Sequence, residues 1–173
     1  MTETNPIVAA TRAWLEKVVI GLNLCPFARE PFNAGRIRYR VSDARDPQTL
    51  LAHLSEEFAR LRDSDPKELE TTLVIHPLVL GDFLAYNDFL DLAEQALLEL
   101  ELEGVIQIAS FHPCYQFEGT ELDDVTNDTN RSPYPMLHLL REESVTRAVE
   151  TYPDVDKIPA RNMETMRRLG KKD

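Results

Sequence analysis

Hydrophobic residues recur along the chain with two different periods. Apolar side chains at three- and four-residue spacing predict a first helix that is capped by Asn5, starts at Pro6 and ends before Pro26. The segment RIRYRVS, residues 36–42, instead alternates apolar and polar side chains, which predicts a strand with one wet or ligand-facing side. The change of period indicates a chain in which helices and strands follow each other.

The later segments continue this alternation. They are a second helix from Asp46-Pro47, a buried strand over 71–75, a third helix that Asp82 caps and Gly104 closes, a strand over 105–111, a fourth helix from about Ser132 to about Glu150, and a last basic helix. The loop before the fourth helix has roughly twenty residues, which is long for a compact domain and therefore points to function.

This order of elements predicts the α/β class. We expect a single domain over residues 1–173, with frayed termini at 1–4 and 168–173, because 173 residues build one packed domain and are few for two. Helices between successive strands favour a small, mostly parallel sheet of three to four strands packed with about five helices. A fourth, short strand is expected in YQFEG, residues 115–119.

Two predicted strands end in the same way, as VIHP at residues 74–77 and as SFHP at residues 110–113. Ligands of open α/β sheets bind at the edge formed by the carboxyl ends of the strands. We therefore expect His76 and His112 to lie near each other there and to exchange protons with a substrate. A histidine that merely ends a strand and bonds to the main chain explains the pattern equally well.

Cys114 lies two residues after His112 and allows two kinds of chemistry. It has the right residue type for a nucleophile, with His112 or His76 as its base. It is also a possible third ligand in a metal site with the two histidines, although this spacing matches no zinc signature. Cys25 is expected to be a small buried hydrophobe, and both cysteines are expected to be free thiols.

A second dense polar stretch, TNDTNRSP, occupies residues 126–133. Its amide, guanidinium and hydroxyl groups are suited to an anion, which Arg131 can hold bidentately. The fourth helix is expected to direct the side chains of His138 and Arg141 at the turn that contains Asn130, Arg131 and Ser132. The predicted substrate-binding residues are Asn127, Asn130, Arg131, Ser132, His138 and Arg141. A capped helix after an asparagine-rich turn is the structural alternative.

The charge of the chain limits its partners. A formal net charge of −11 and a pI near 4.8 disfavour nucleic acid. No apolar stretch is long enough for a membrane span or resembles a signal peptide, so a cytoplasmic location is expected. The arginines at positions 36, 38 and 40 either protect an edge strand or form a positive wall of an anion pocket. Cofactor and oligomeric state stay open.

Three segments carry a family resemblance. They are WLEKVVIGLNLCPFA at 14–28, SFHPCYQFEGT at 110–120 and TNRSPYPMLHLLREESV at 129–145. Together they resemble the bacterial family labelled domain of unknown function 1415, over nearly the whole chain. The resemblance implies a compact, soluble, bacterial-type protein and supplies no activity.

Three functions remain as hypotheses. The first is a hydrolase or group transferase that binds a small anionic metabolite at the carboxyl edge of the sheet, between the 23–35 and 112–135 loops. The second is a non-catalytic binding or interaction protein in which the polar loop is structural. The third is a metalloprotein with histidine and cysteine ligands.

Overall fold

The computed structural model describes residues 5–22, 24–25, 28–152 and 155–170. Helix α1 (Pro6–Trp14) starts as predicted, because the side-chain oxygen of Asn5 accepts the N–H of Ile7 at 2.8 Å. The helix continues as a π-helix over Leu15–Ile20, which the apolar spacing did not indicate. Pro26, where the first helix was expected to have ended, and the termini 1–4 and 171–173 lie outside the described residues.

Ten α-helices and strands follow one another in the described part of the chain. After α1 they are α2 (Arg29–Asn33), β1 (Ile37–Val41), α3 (Pro47–Asp63), β2 (Thr71–Ile75), α4 (Phe83–Glu99), β3 (Ile106–Phe111), β4 (Met136–Arg141), α5 (Glu142–Thr151) and α6 (Ile158–Gly170). Short 3-10 helices cover Val125–Asn130 and Val155–Lys157. The predicted caps Asp46 and Asp82 accept N–H groups of α3 and α4 at 2.8 and 3.2 Å.

The strands form one four-stranded sheet with the order β1-β2-β4-β3. β1 pairs with β2 in parallel, whereas β4 is antiparallel to both β2 and β3. The α/β class is therefore confirmed, but the expected mostly parallel sheet is wrong because the sheet is mixed. The fourth strand lies at residues 136–141 and not in YQFEG.

The segment MLHLLR, expected to belong to the fourth helix, is strand β4. It is apolar on both sides, since Leu137 and Leu139 face α3 and α4 while Met136 packs on the opposite face. A short continuous apolar run fits a buried strand as well as a buried helix, so its periodicity does not decide between them. The helix starts only at Glu142.

Two hydrophobic layers enclose the sheet. Leu54, Phe58 and Tyr86 of α3 and α4 pack on Val74, Leu137 and their neighbours. On the other face, Trp14 of α1 and Leu15 and Val19 of the π-helix pack on Leu73, Ile75 and Met136 of the sheet. Two regions of this arrangement are candidates for a site, the carboxyl ends of β1–β3 and the open edge of β1; β3 forms the other edge of the sheet.

Candidate functional site

The carboxyl ends of β2 and β3 are joined by the segment that leads into β4. The N–H of His76 donates to Pro135 O at 3.0 Å, and the N–H of His112 donates to Asn130 O at 3.2 Å. β4 then starts at this edge and runs back between the two strands. The residues that were predicted to surround a pocket are thereby bonded to the strand ends.

His112 is fully buried, and both of its ring nitrogens have main-chain partners. Nε2 lies 2.9 Å from Leu80 O, and because a carbonyl only accepts, Nε2 carries the proton. Nδ1 accepts the N–H of Cys114 at 3.0 Å. Burial lowers the pKa of His112, against the opposing effects of Leu80 and Asp82. The ring is neutral in this arrangement and links two main-chain segments. It accepts a hydrogen bond from the backbone of Cys114 and does not contact its thiol through this bond.

His76 is also fully buried and bonds to the same loop. Its Nδ1 lies 3.1 Å from Val79 O and is therefore the protonated nitrogen. Nε2 has no hydrogen-bond partner in the described part of the chain. Burial lowers the pKa of His76 to about 4, so the imidazole is neutral near pH 7.

The two histidines together hold the loop between β2 and α4. Leu80 in this loop has a φ of 60°, a left-handed conformation that is unfavourable for leucine. The imidazoles bond the consecutive carbonyls of Val79 and Leu80. Surrounding contacts of this kind are what keep a strained residue in place, so the histidines have a structural task at the strand ends.

Tyr86 lies between the two histidine rings and was not identified from the sequence. Its ring centroid is 5.8 Å from that of His76 and 5.0 Å from that of His112. Its hydroxyl donates to Met136 O at 2.8 Å and accepts the N–H of Phe111 at 3.1 Å. Tyr86 thus joins β3 to β4, and its place on the apolar stripe of the third helix made it look like an ordinary core residue.

The predicted asparagines and Ser132 also bond to nearby main chain. Asn127 is fully buried; its Oδ1 accepts the N–H of Phe117 at 2.8 Å, and its Nδ2 donates to Glu121 O at 3.0 Å. Asn130 Nδ2 donates to Ser110 O at 3.0 Å. Ser132 caps no helix, because its hydroxyl donates to Tyr134 O at 2.6 Å and the chain continues into a strand.

Arg131 uses its guanidinium to hold the loop after β3. Nε donates to Tyr115 O at 2.9 Å, one Nη donates to Leu122 O at 2.7 Å, and the other contacts Asp128 at 3.2 Å. Each of the three nitrogens of the guanidinium that was expected to grip an anion therefore already has a protein partner. Cys114 is exposed, and Cys25 and Cys114 form no disulfide with each other.

His138 and Arg141 lie away from this edge because they belong to β4. His138 Nε2 is 2.8 Å from the hydroxyl of Thr71, on the face covered by α1, and burial lowers its pKa to about 4. Arg141 is at the opposite end of the sheet, where it donates to Ser64 O and Leu69 O at 3.0 and 2.7 Å. The expectation that a helix directs them at the Asn-Arg-Ser turn is wrong.

The histidines, cysteines and carboxylates of the described residues form no metal-binding group. No cluster of three or more of these side chains has a geometry that could hold an ion there. The sequence suggested His76, His112 and Cys114 as ligands, but the ring nitrogens that bond the main chain are directed at carbonyls or at a backbone amide.

A cleft of about 490 Å³ lies at the other end of the molecule, along the start of β1. Arg36, Arg38 and Arg60 line one side of it, together with Ser64, Glu68 and Leu69 of the loop that Arg141 holds. Val8 of α1 and the strand residues Ile37 and Tyr39 complete its wall. The cleft follows the edge of β1 that no other strand in the described part of the chain covers.

The arginines of this region share one buried carboxylate. Arg38 binds Glu57 through two nitrogens at 2.7 and 3.3 Å, and Arg40 binds it at 3.0 Å. The nearest nitrogen of Arg60 is 3.9 Å away, and the Arg60 side chain is 54% exposed, whereas the Glu57 side chain is 0% exposed. Arg40 also lies 3.4 Å from the exposed Glu56, so three guanidinium groups face two carboxylates, of which only Glu57 is buried.

Glu57 and Arg60 were not predicted from the sequence, although a signal was present. Glu57 falls on the apolar stripe of α3, between Leu54 and Leu61, where a carboxylate needs a buried partner. The preceding strand presents arginines at alternate positions, so an arginine–glutamate network was the natural explanation. Arg36 is neutralised separately by Glu30 and Glu70.

The fold and these two regions define an α/β protein with a mixed four-stranded sheet, a braced carboxyl edge and an arginine-lined cleft. The chain belongs to the family described as protein of unknown function DUF1415, whose model matches residues 6–173. No curated protein and no solved structure shows a significant match to it. None of the helices in the described residues has the length and apolarity required to cross a membrane.

Proposed function

We propose that this protein is a non-catalytic binding protein, and that it holds an anionic group of its partner in the cleft along β1, which we name the edge cleft. The observation that carries this proposal is the excess of guanidinium groups around Glu57. Glu57 and the exposed Glu56, which lies 3.4 Å from Arg40, together balance the charges of Arg38 and Arg40, which leaves the Arg60 charge for a ligand.

A carboxylate or a phosphate fits this charge. Both bind guanidinium groups bidentately through charge-assisted hydrogen bonds. Arg60 is accessible, and Arg38 next to it in the cleft is 33% exposed. The formal net charge of −11 repels anions from most of the surface, so a local positive wall adds selectivity for where they bind.

The carboxyl edge of the sheet supports the non-catalytic part of the proposal. Each polar side chain expected to bind substrate there has main-chain partners, as described for His112, Asn127 and Arg131. Proton transfer by His112 would first require one of these bonds to break. The polar loop is thus best explained as a structural element.

An enzyme remains the second candidate, because one observation favours it. His76 Nε2 is buried next to Tyr86 and has no hydrogen-bond partner among the described residues, as expected for a base that awaits a substrate proton. A screen of chromogenic carboxylate and phosphate esters tests it with the wild-type protein and His76→Gln. Turnover that the substitution abolishes supports a hydrolase, and identical background rates in both proteins remove this candidate.

Calorimetric titration with inorganic phosphate and with glutarate tests the binding proposal. We expect Arg60→Gln to weaken binding about tenfold or more, since a charge-assisted hydrogen bond contributes about 1.5–3 kcal/mol. Arg62→Gln is the matched control, because Arg62 is on the same helix and pairs with Asp63 outside the cleft. Equal affinities of wild type and Arg60→Gln, or no binding at all, would overturn the proposal.

A further inference from the structure

We infer that the occupant of the edge cleft is an extended peptide segment with acidic side chains at alternate positions, which pairs with β1 as an additional strand. This inference rests on the proposed anion binding and names the chemistry of the partner. Two features carry it: the backbone groups of β1 that no other strand in the described part of the chain covers, and the two chemically different walls of the cleft.

The free edge of β1 has backbone groups available for pairing. In a parallel pair, alternate residues turn both their N–H and C=O groups to the neighbouring strand. Arg36 O accepts the N–H of Glu70 at 2.9 Å, and Ser42 N donates to Ile75 O at 2.7 Å, so the even-numbered residues face β2. Ile37, Tyr39 and Val41 therefore present their N–H and C=O groups to the open side.

The two walls of the edge cleft differ in chemistry. Arg38 and Arg60 lie on the α3 side, whereas Val8, Ile37 and Tyr39 lie on the α1 side. Side chains of an added strand point alternately to these two walls. A peptide in which glutamates alternate with valines places its carboxylates next to the arginines and its apolar side chains next to α1.

A second copy of this chain fits the edge less well. The segment Ile37–Val41 is nearly symmetrical about Tyr39, so antiparallel self-pairing centred there brings Arg38 of one copy opposite Arg40 of the other. Like charges directly opposite each other destabilise a strand pair. The net charge of −11 on each copy opposes association further.

The test uses two fluorescent peptides of equal composition, one with alternating glutamate and valine and one with separate glutamate and valine blocks. Fluorescence anisotropy should show at least tenfold tighter binding of the alternating peptide to the wild-type protein. Arg60→Gln should remove that preference, and Arg62→Gln should keep it. Two further versions of the peptide carry methyl groups on alternate backbone nitrogens, either on those that face β1 or on those that face away from it. Only the version methylated on the nitrogens that face β1 should lose binding.

The other outcomes separate this inference from the proposed function. In one outcome, phosphate binding depends on Arg60 but the alternating peptide is not preferred; in another, it depends on Arg60 but both methylation patterns have equal effects. Either result overturns the peptide inference and leaves the anion-binding proposal intact. Loss of phosphate binding and of peptide binding in the wild type overturns both. A dimer that light scattering detects and that the alternating peptide dissociates identifies a second copy as the occupant, which also overturns the peptide inference.

Discussion

At the scale of single residues, polar side chains at the carboxyl edge of the sheet are directed at main-chain groups. The sequence places His76 and His112 at the ends of two strands, and both do lie against Tyr86. Their partners could not be predicted, because a histidine looks the same in a sequence whether it bonds a substrate or the carbonyl of Leu80. That distinction depends on the path of the 77–81 loop.

Substitution of Arg131 tests the structural interpretation of this edge. We expect Arg131→Ala to lower the free energy of unfolding by about 2 kcal/mol, because carbonyl groups of the 115–122 loop lose charge-assisted partners. Amide hydrogen exchange in that loop should rise. Chemical denaturation and exchange mass spectrometry measure the two effects.

Two further variants make the result specific. Arg131→Lys should be almost as unstable, because an ammonium group cannot reproduce the fork that spans Tyr115 O and Leu122 O. Arg147→Ala removes an exposed helical pair with Glu143 and should change stability by less than about 0.5 kcal/mol. Unchanged stability and unchanged loop exchange in Arg131→Ala would favour the original expectation of an anion-binding arginine.

At the scale of elements, the sequence predicts the segments that have a clear period or cap. β1 with its alternating arginines and α3 occur where their patterns indicate, and α4 starts as predicted but ends at Glu99, before the expected stop at Gly104. β4 was misassigned, because its apolar run is compatible with both periods and its pairing partners are distant in the chain. The π-helix at Leu15–Ile20 was not predicted either, because the apolar residues of this segment fit the spacing of an ordinary α-helix.

Gly21 ends this π-helix, and its substitution tests the close packing there. A Cβ at this position would lie 2.3 Å from Lys17 O, which is backbone and cannot move aside easily. We expect Gly21→Ala to destabilise the protein by about 1–3 kcal/mol, as overpacking commonly does. Thermal and urea unfolding measure this.

Gly81 provides the matched control. A Cβ there meets no atom within 4 Å, and the residue does not have a positive φ. Gly81→Ala should therefore be neutral or stabilise slightly, by about 0.4–1 kcal/mol through the unfolded state. Equal stabilities of Gly21→Ala and Gly81→Ala would show that the turn after the π-helix relaxes at no cost.

At the scale of the whole molecule, buried histidines couple folding to pH. Burial lowers the pKa values of His76 and His138 to about 4, against 6.5 for an ordinary histidine. The unfolded chain therefore binds protons below pH 6.5 that the folded chain does not bind until pH 4. This contribution to stability is complete above pH 6.5 and is lost as the pH falls towards 4.

Urea unfolding between pH 7.5 and pH 5 measures the coupling. Each of the two histidines should account for a loss of about 2 kcal/mol over this range. His138→Gln keeps an amide donor for Thr71, and its stability should fall less steeply with pH than that of the wild type. Parallel stability curves for His138→Gln and the wild type would contradict a neutral, buried His138.

The edge cleft differs in charge from the rest of the molecule. Thirty acidic and nineteen basic residues give a negative protein, yet arginines outnumber the buried carboxylate at the α3 side of β1. The row formed by Arg36, Arg38 and Arg40 was open to two interpretations in the sequence. Salt bridges to Glu57 neutralise part of the row, and the accessible Arg60 supplies the remaining positive charge.

Amide chemical-shift mapping tests the location of binding most directly. Isotope-labelled protein is titrated with the alternating glutamate–valine peptide, and the shift changes are assigned along the chain. We expect the largest changes at residues 35–41 and 60–69, which surround the edge cleft. Changes confined to residues 112–135, with β1 unaffected, would contradict the account and return the site to the carboxyl edge of the sheet.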